Sequence, residues 1–176
     1  MELKLETICA LATGSGIGAI AVVRISGAES RKIFSQCFSK DLSKVKSHTI
    51  HFGTISGIDG TQIDEVLVSY FEHGRSFTGE ESIEISCHGS PYVQQQILAV
   101  LQQCGCRMAE PGEFTKRAFI NGKLDLSQAE AVADLIAAQS KKAHRIALSQ
   151  LKGNLSSDLK VLRESLIAFA SLIELE

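Results

Sequence analysis

The hydrophobic period changes along the chain, and this limits the folds open to it. Up to Gly105 the apolar residues form short runs or alternate with polar ones, with glycines between them. From Ser127 onward there is no proline, Gly153 is the lone glycine, and apolar residues recur by threes and fours. The first pattern has the two-residue period of strands and the second the 3.6-residue period of helices. Together they predict an α+β chain: a mixed β-sheet with helices, followed by a helical segment. The expected domains are residues 1–122 and 123–176. A chain of 176 residues with 44% hydrophobic content can build one packed domain and a helical annex.

Strands are expected at Thr7–Thr13 and Ala19–Ile25, joined by a glycine-rich loop, and at Thr49–Ser56, Glu65–Phe71 and Ser82–Cys87. Ala28–Phe38 reads as a short amphipathic helix, with Ile33, Cys37 and Phe34, Phe38 at i, i+4 spacing. Pro91–Gly105 reads as a second helix, with proline in its first turn and glycine as its stop. Ser127-Gln128-Ala129-Glu130 fits a capping box opening a third. Val132, Leu135, Ile136, Ala143, Ile146 and Ala147 continue as a stripe. Leu151, Leu155, Leu159, Leu162, Leu166, Phe169 and Ile173 make a sharper one that needs a partner. Gly153-Asn154 either breaks this region or sits inside one long helix. A seam still running at the last residue leads us to expect a fragment of something longer.

Bulk properties exclude several classes. Eighteen basic and 20 acidic residues give a formal net charge of −2, so no broad attraction to nucleic acid follows. The start, MELKLETICALATGSG, lacks a basic region followed by a long apolar core, and no run approaches a membrane span. Cys9, Cys37, Cys87, Cys104 and Cys106 are odd in number and lack zinc-ligand spacing, which favours buried or semi-buried free thiols in a cytoplasmic setting. No metal site and no catalytic group is expected.

Gly14, Gly16 and Ala19 match G-x-G-x-x-[GA], but the loop leads into AIAVVRISG, a strand-like run. A dinucleotide site needs a helix there, so a tight turn between strands is the better reading. No G-x-x-x-x-G-K-[ST] phosphate loop occurs. Arg24 ends an apolar strand and must be paired with a carboxylate or face a ligand. In Ser82–Cys87, Ile83, Ile85 and Cys87 share one face, while Ser82, Glu84, Ser86 and His88 share the other. Glu84 is either solvent-facing or a half-buried carboxylate suited to paired N–H donors. His88, at the strand end, reads as structural, and Phe77–Glu80 as a loop carrying an acidic residue. Lys116, Arg117 and Lys123 cluster around Phe114 and Phe119, as a solvated connector or as a segment held by the Pro111-Gly112 and Asn121-Gly122 turns.

Three segments then become specific in combination: AVVRISG (21–27), SFTGEESIEISCHGS (76–90) and PGEFTKRAFINGKLDLSQAEAVADLI (111–136). Their order and spacing resemble the N-terminal region of the MnmE/TrmE family of tRNA-modification GTPases, over essentially the whole chain. That resemblance implies a tetrahydrofolate-binding-type domain, and a helical domain interrupted by a Ras-like G domain. It implies a homodimer through the N-terminal domains, and 5-formyltetrahydrofolate bound by Arg24, Glu84 and Lys123. It implies a complex with the FAD-dependent partner MnmG (GidA) that modifies C5 of the wobble uridine of tRNA. GTP, potassium and magnesium would belong to the G domain, which is absent from this chain, as is the family's Cys-x-Gly-Lys motif. Thr13–Gly18 and Ser90 depart from the residues frequent in the family without touching the three expected contacts. A ligand-free assembly module and a dinucleotide oxidoreductase remain as alternatives.

Overall fold

β-branched and aliphatic residues at alternate positions build the strands. The computed structural model describes residues 6–173, without the side chains of 155–158, 172 and 173. The first five residues, and the side chains of Leu155 and Ile173, therefore lie outside the described residues. The chain divides into two compact units, Met1–Arg117 and Ala118–Glu176.

The first unit holds a six-stranded mixed sheet in the order β3-β4-β5-β2-β1-β6. Its strands are β1 (Ile8–Leu11), β2 (Ile20–Ser26), β3 (Thr49–Ser56), β4 (Gln62–Phe71), β5 (Ser82–His88) and β6 (Arg107–Met108). β1 and β6 run parallel and the other pairs antiparallel. One face presents Ala21, Val23 and Ile25 from β2, Ile83, Ile85 and Cys87 from β5, and Val66, Val68 and Tyr70 from β4, all buried. Ile33 and Phe34 of α1 (Ser30–Phe34) and Ile97, Val100 and Leu101 of α2 (Pro91–Gln103) join them in one core. The opposite face carries Arg24 and Glu84, and it leaves Ile20, Ile50, Phe52 and Leu67 exposed.

The helix expected at Ala28–Phe38 is shorter, Ser30–Phe34. Beyond it the backbone is drawn to the sheet edge: Ser56 N–H donates to Cys37 O and Ser39 N–H to Thr54 O. The i, i+4 pair survives in a turn, with the Phe34 and Phe38 rings stacked at 4.9 Å. Gly105, at φ +114°, ends α2 in the left-handed region, and Cys106 N–H closes the turn on Leu101 O. The glycine-rich segment is a loop between the antiparallel β1 and β2, and no helix follows it. Gly89 packs under this loop so closely that a Cβ there would stand 2.3 Å from Gly18 O. Two elements were not anticipated: β6, and α3 (Glu113–Ile120), which replaces the expected connector and runs across the division between the units.

The second unit contains α4 (Leu126–Ala137), α5 (Lys141–Leu151) and α6 (Asn154–Ile173). The expected capping box at Ser127–Glu130 is corrected: Asp125 is the N-cap, accepting from Gln128 N, and the Gln128 side chain accepts from Asp125 N. Asp-x-x-Gln satisfies the same geometry two residues earlier, and extended backbone at Asp125 (φ −82°, ψ 174°) places it outside the helix. Gly153, at φ +78°, separates α5 from α6, so this region is not one helix. Ala131 and Ala147 are buried, while Leu159, Leu162, Leu166 and Phe169 of the sharper stripe are exposed. No described helix is long and apolar enough to cross a membrane.

Candidate functional site

Adjacent antiparallel strands bring two of the sequence-predicted residues together. Arg24 on β2 and Glu84 on β5 are direct cross-strand partners. Both are half-buried, with side chains 22% and 30% exposed. Arg24 donates from Nε to Glu84 Oε1 at 2.9 Å, and its Nη2 lies 2.8 Å from the same oxygen as an ion pair. Arg24 Nη1 and Glu84 Oε2 have no partner among the described residues. A charged donor and a charged acceptor therefore sit side by side, able to engage a group that offers both an acceptor and an N–H. The face assignment made from the alternation of Ser82–Cys87 holds, and Glu84 is neither fully solvated nor buried without a partner.

Two aromatic rings flank the guanidinium. Arg24 Cζ lies 5.2 Å from the Phe77 ring centroid and 5.4 Å from that of Phe114. Phe77 belongs to a loop whose other residues are tied down. Ser26 Oγ lies 2.7 Å from Thr78 Oγ1 and donates to Glu80 Oε2 at 2.7 Å, and Ser76 Oγ donates to Glu80 O at 2.6 Å. Gly79 takes φ +79°, a turn conformation that favours glycine, and Gly74 N–H donates to its carbonyl at 2.7 Å.

Glu80 and Glu84, four residues apart, do different work. Glu80 accepts from Arg117 Nη1 with both oxygens, at 3.2 and 3.1 Å. Arg117 is 2% exposed, with Nη2 on Glu6 O and Glu113 Oε1. Its Nε is buried without a partner among the described residues. Arg107 also grips Glu113, and together with the Glu110 N–H and Arg117 it outweighs burial and holds the Glu113 carboxyl down at about 2. Arg117 thus belongs to a buried ion network and not to a solvated connector. The Glu113-x-x-x-Arg117 spacing was the available signal for it. Phe77 and Phe114 carried no sequence signal beyond being aromatic.

Lys123 lies in the second unit, in the turn after α3, where its N–H donates to Ala118 O at 2.8 Å and Gly122 takes φ +68°. His88, the other polar residue at the end of β5, is held by Asp64: its N–H and Nδ1 lie 2.8 and 2.7 Å from the two carboxylate oxygens. A groove of about 760 Å³ lies elsewhere in the first unit, lined by Asp59, Thr61, Tyr92, Gln96 and Gln103 among others. Asp59, its sole ionised side chain, is already engaged by Thr61, so the chemistry does not point there. All five cysteines are buried and free. Burial pushes the Cys37 thiol up to about 12 and Cys87 to about 11, so neither is a nucleophile at neutral pH. Among the described residues no cluster of His, Cys, Asp and Glu could hold a metal ion.

Residues 7–123 match the family described as GTP-binding protein TrmE N-terminus, and residues 126–176 match the MnmE helical domain. The chain belongs to the MnmE (TrmE) family. It is 58% identical to a tRNA modification GTPase MnmE of Flavobacterium johnsoniae over 175 residues, 97% of this chain and 37% of that protein. It is 52% identical to the protein of that name from Parabacteroides distasonis over 177 residues, 98% of this chain and 38% of the other. A third, from Cytophaga hutchinsonii, is 50% identical over 172 residues, 97% of this chain and 37% of the other. The chain thus spans somewhat over a third of the length of these relatives, and it matches the family's N-terminal region. The two family matches meet between Lys123 and Leu126, where the α3 turn gives way to the Asp125-capped α4.

Proposed function

We propose that this chain binds a tetrahydrofolate one-carbon donor, 5-formyltetrahydrofolate or a close relative, as the N-terminal part of a tRNA-modification GTPase. The observation that carries this reading is the Arg24–Glu84 pair, with Nη1 on one side and Oε2 on the other left to engage a ligand. A pterin ring presents N–H donors beside a carbonyl acceptor along one edge. Glu84 takes the N–H groups, Arg24 the carbonyl or an anionic part, and Lys123 is the third contact implied by the family. Residues 1–122 would be the folate-binding and dimerisation domain, and 123–176 the first helices of the helical domain.

In the whole protein this module would act with MnmG (GidA) to place an aminomethyl or carboxymethylaminomethyl group on C5 of wobble uridine 34 of tRNA. GTP, potassium and magnesium would serve a G domain outside this chain, and the chain alone would not be a catalyst. The exposed Ile20, Ile50, Phe52 and Leu67 on one sheet face favour a homodimer formed through this domain. Isothermal titration with 5-formyltetrahydrofolate tests the reading. Saturable binding that competes with tetrahydrofolate supports it, and no heat from folded protein defeats it. Light scattering checks the dimer, and a monomer at micromolar concentration counts against that part.

A further inference from the structure

The guanidinium of Arg24 is restrained on three sides. Glu84 holds one edge through Nε and Nη2, while the Phe77 and Phe114 rings stand 5.2 and 5.4 Å from Cζ, within cation–π range. Phe77 is 39% exposed although Ser76, Thr78 and Gly79 on either side of it are buried. Its ring is thus presented by a loop that is itself fixed. The same carboxylate that fixes this loop, Glu80, holds Arg117, and Arg117 lies one helical turn after Phe114 on α3. One buried ion pair therefore sets the positions of both rings.

We infer that Phe77 and Phe114 are positioning residues for ligand binding, an aromatic clamp that pre-orients Arg24 so that its remaining N–H edge meets the ligand. The inference rests on the folate reading for the identity of the ligand, but not for the restraint on Arg24. Both rings flank the guanidinium, and its Nη1 remains available to a ligand acceptor. The hydrogen bond formed there is charge-assisted and requires little ordering of the side chain on binding. A long arginine without the rings would sample other rotamers and lose affinity when the ligand fixes one of them.

The test compares Phe77→Leu and Phe114→Leu with Phe77→Tyr and Phe114→Tyr, in the whole chain, with thermal midpoints recorded. Leucine keeps apolar bulk but has no ring face; tyrosine keeps the face. The leucine variants should bind 5-formyltetrahydrofolate on the order of tenfold more weakly, and the tyrosine variants within about twofold of wild type. In parallel, the Nε–H resonance of Arg24, assigned with Arg24→Lys, should show high order in ligand-free wild type and in the tyrosine variants, and lose it in the leucine variants. Leucine variants with wild-type affinity, or with an unchanged Arg24 resonance, overturn the clamp. If wild type does not bind the folate, the folate reading falls and the resonance alone decides whether the clamp exists. If Phe114→Leu does not fold, Phe77→Leu on the exposed ring carries the comparison.

Discussion

Arg24 and Glu84 stand directly opposite each other on β2 and β5, and two guanidinium nitrogens converge on a single Glu84 oxygen. The two half-buried charges lower each other's cost, yet each keeps one polar atom for another partner. A purely structural pair would gain most from a bidentate fork using both oxygens. The one-oxygen geometry suits a pair that also serves a ligand.

Glu84→Gln and Glu80→Gln should separate binding from stability. The first weakens 5-formyltetrahydrofolate binding by at least about tenfold with little change in thermal midpoint, because a charge-assisted hydrogen bond is lost at a half-exposed site. The second lowers the midpoint, because it leaves Arg117 short of a buried counter-charge. Parallel titration and thermal melts check both; an equal effect on affinity would show that the two carboxylates share one role.

Arg117→Met should be among the most destabilising single changes, at about 3–5 kcal/mol, because it removes the buried counter-charge of Glu80 and one of the two arginines on Glu113. Urea unfolding measures it. A loss within about 1 kcal/mol would mean that the network is worth no more than a surface pair.

The alternation of Ser82–Cys87 placed Glu84 on its face correctly, and the apolar run before Arg24 marked β2, because a two-residue period is a strong signal over seven residues. β6 left no pattern, since two residues cannot display a period; Arg107–Met108 is a strand because its backbone meets Thr7 and Cys9. α3 was masked by its charges, as Glu113 and Arg117 look solvated in sequence and are buried only because they satisfy each other and Arg107. Ser127 matched the capping motif as well as Asp125 did, and the choice between them depended on where the backbone turns. The rings beside Arg24 come from segments 37 residues apart, a juxtaposition that only the tertiary fold creates.

The cap can be tested directly. Asp125→Ala should cost about 1 kcal/mol, whereas Ser127→Ala, already inside the helix, should cost little. Denaturant unfolding of both variants decides it, and the reverse order would restore the Ser127 assignment.

Glu113 sets an acid limit. Its carboxyl titrates at about 2 in the folded protein against an ordinary 4.5, chiefly through Arg107. Its contribution, about 2–3 kcal/mol, is therefore complete above pH 4.5 and disappears as pH falls towards 2. Stability measured from pH 6 down to pH 2 should fall less steeply for Glu113→Gln, which starts lower, than for wild type. Parallel curves would remove Glu113 from the account.

The Arg24–Glu84 pair is proposed as a folate contact. Calorimetric titration of 5-formyltetrahydrofolate into wild type and Arg24→Ala, at one salt concentration and with thermal melts alongside, tests it most directly. Wild type should bind saturably, and a folded Arg24→Ala protein should bind at least about tenfold more weakly. Equal affinity in the two proteins would contradict it.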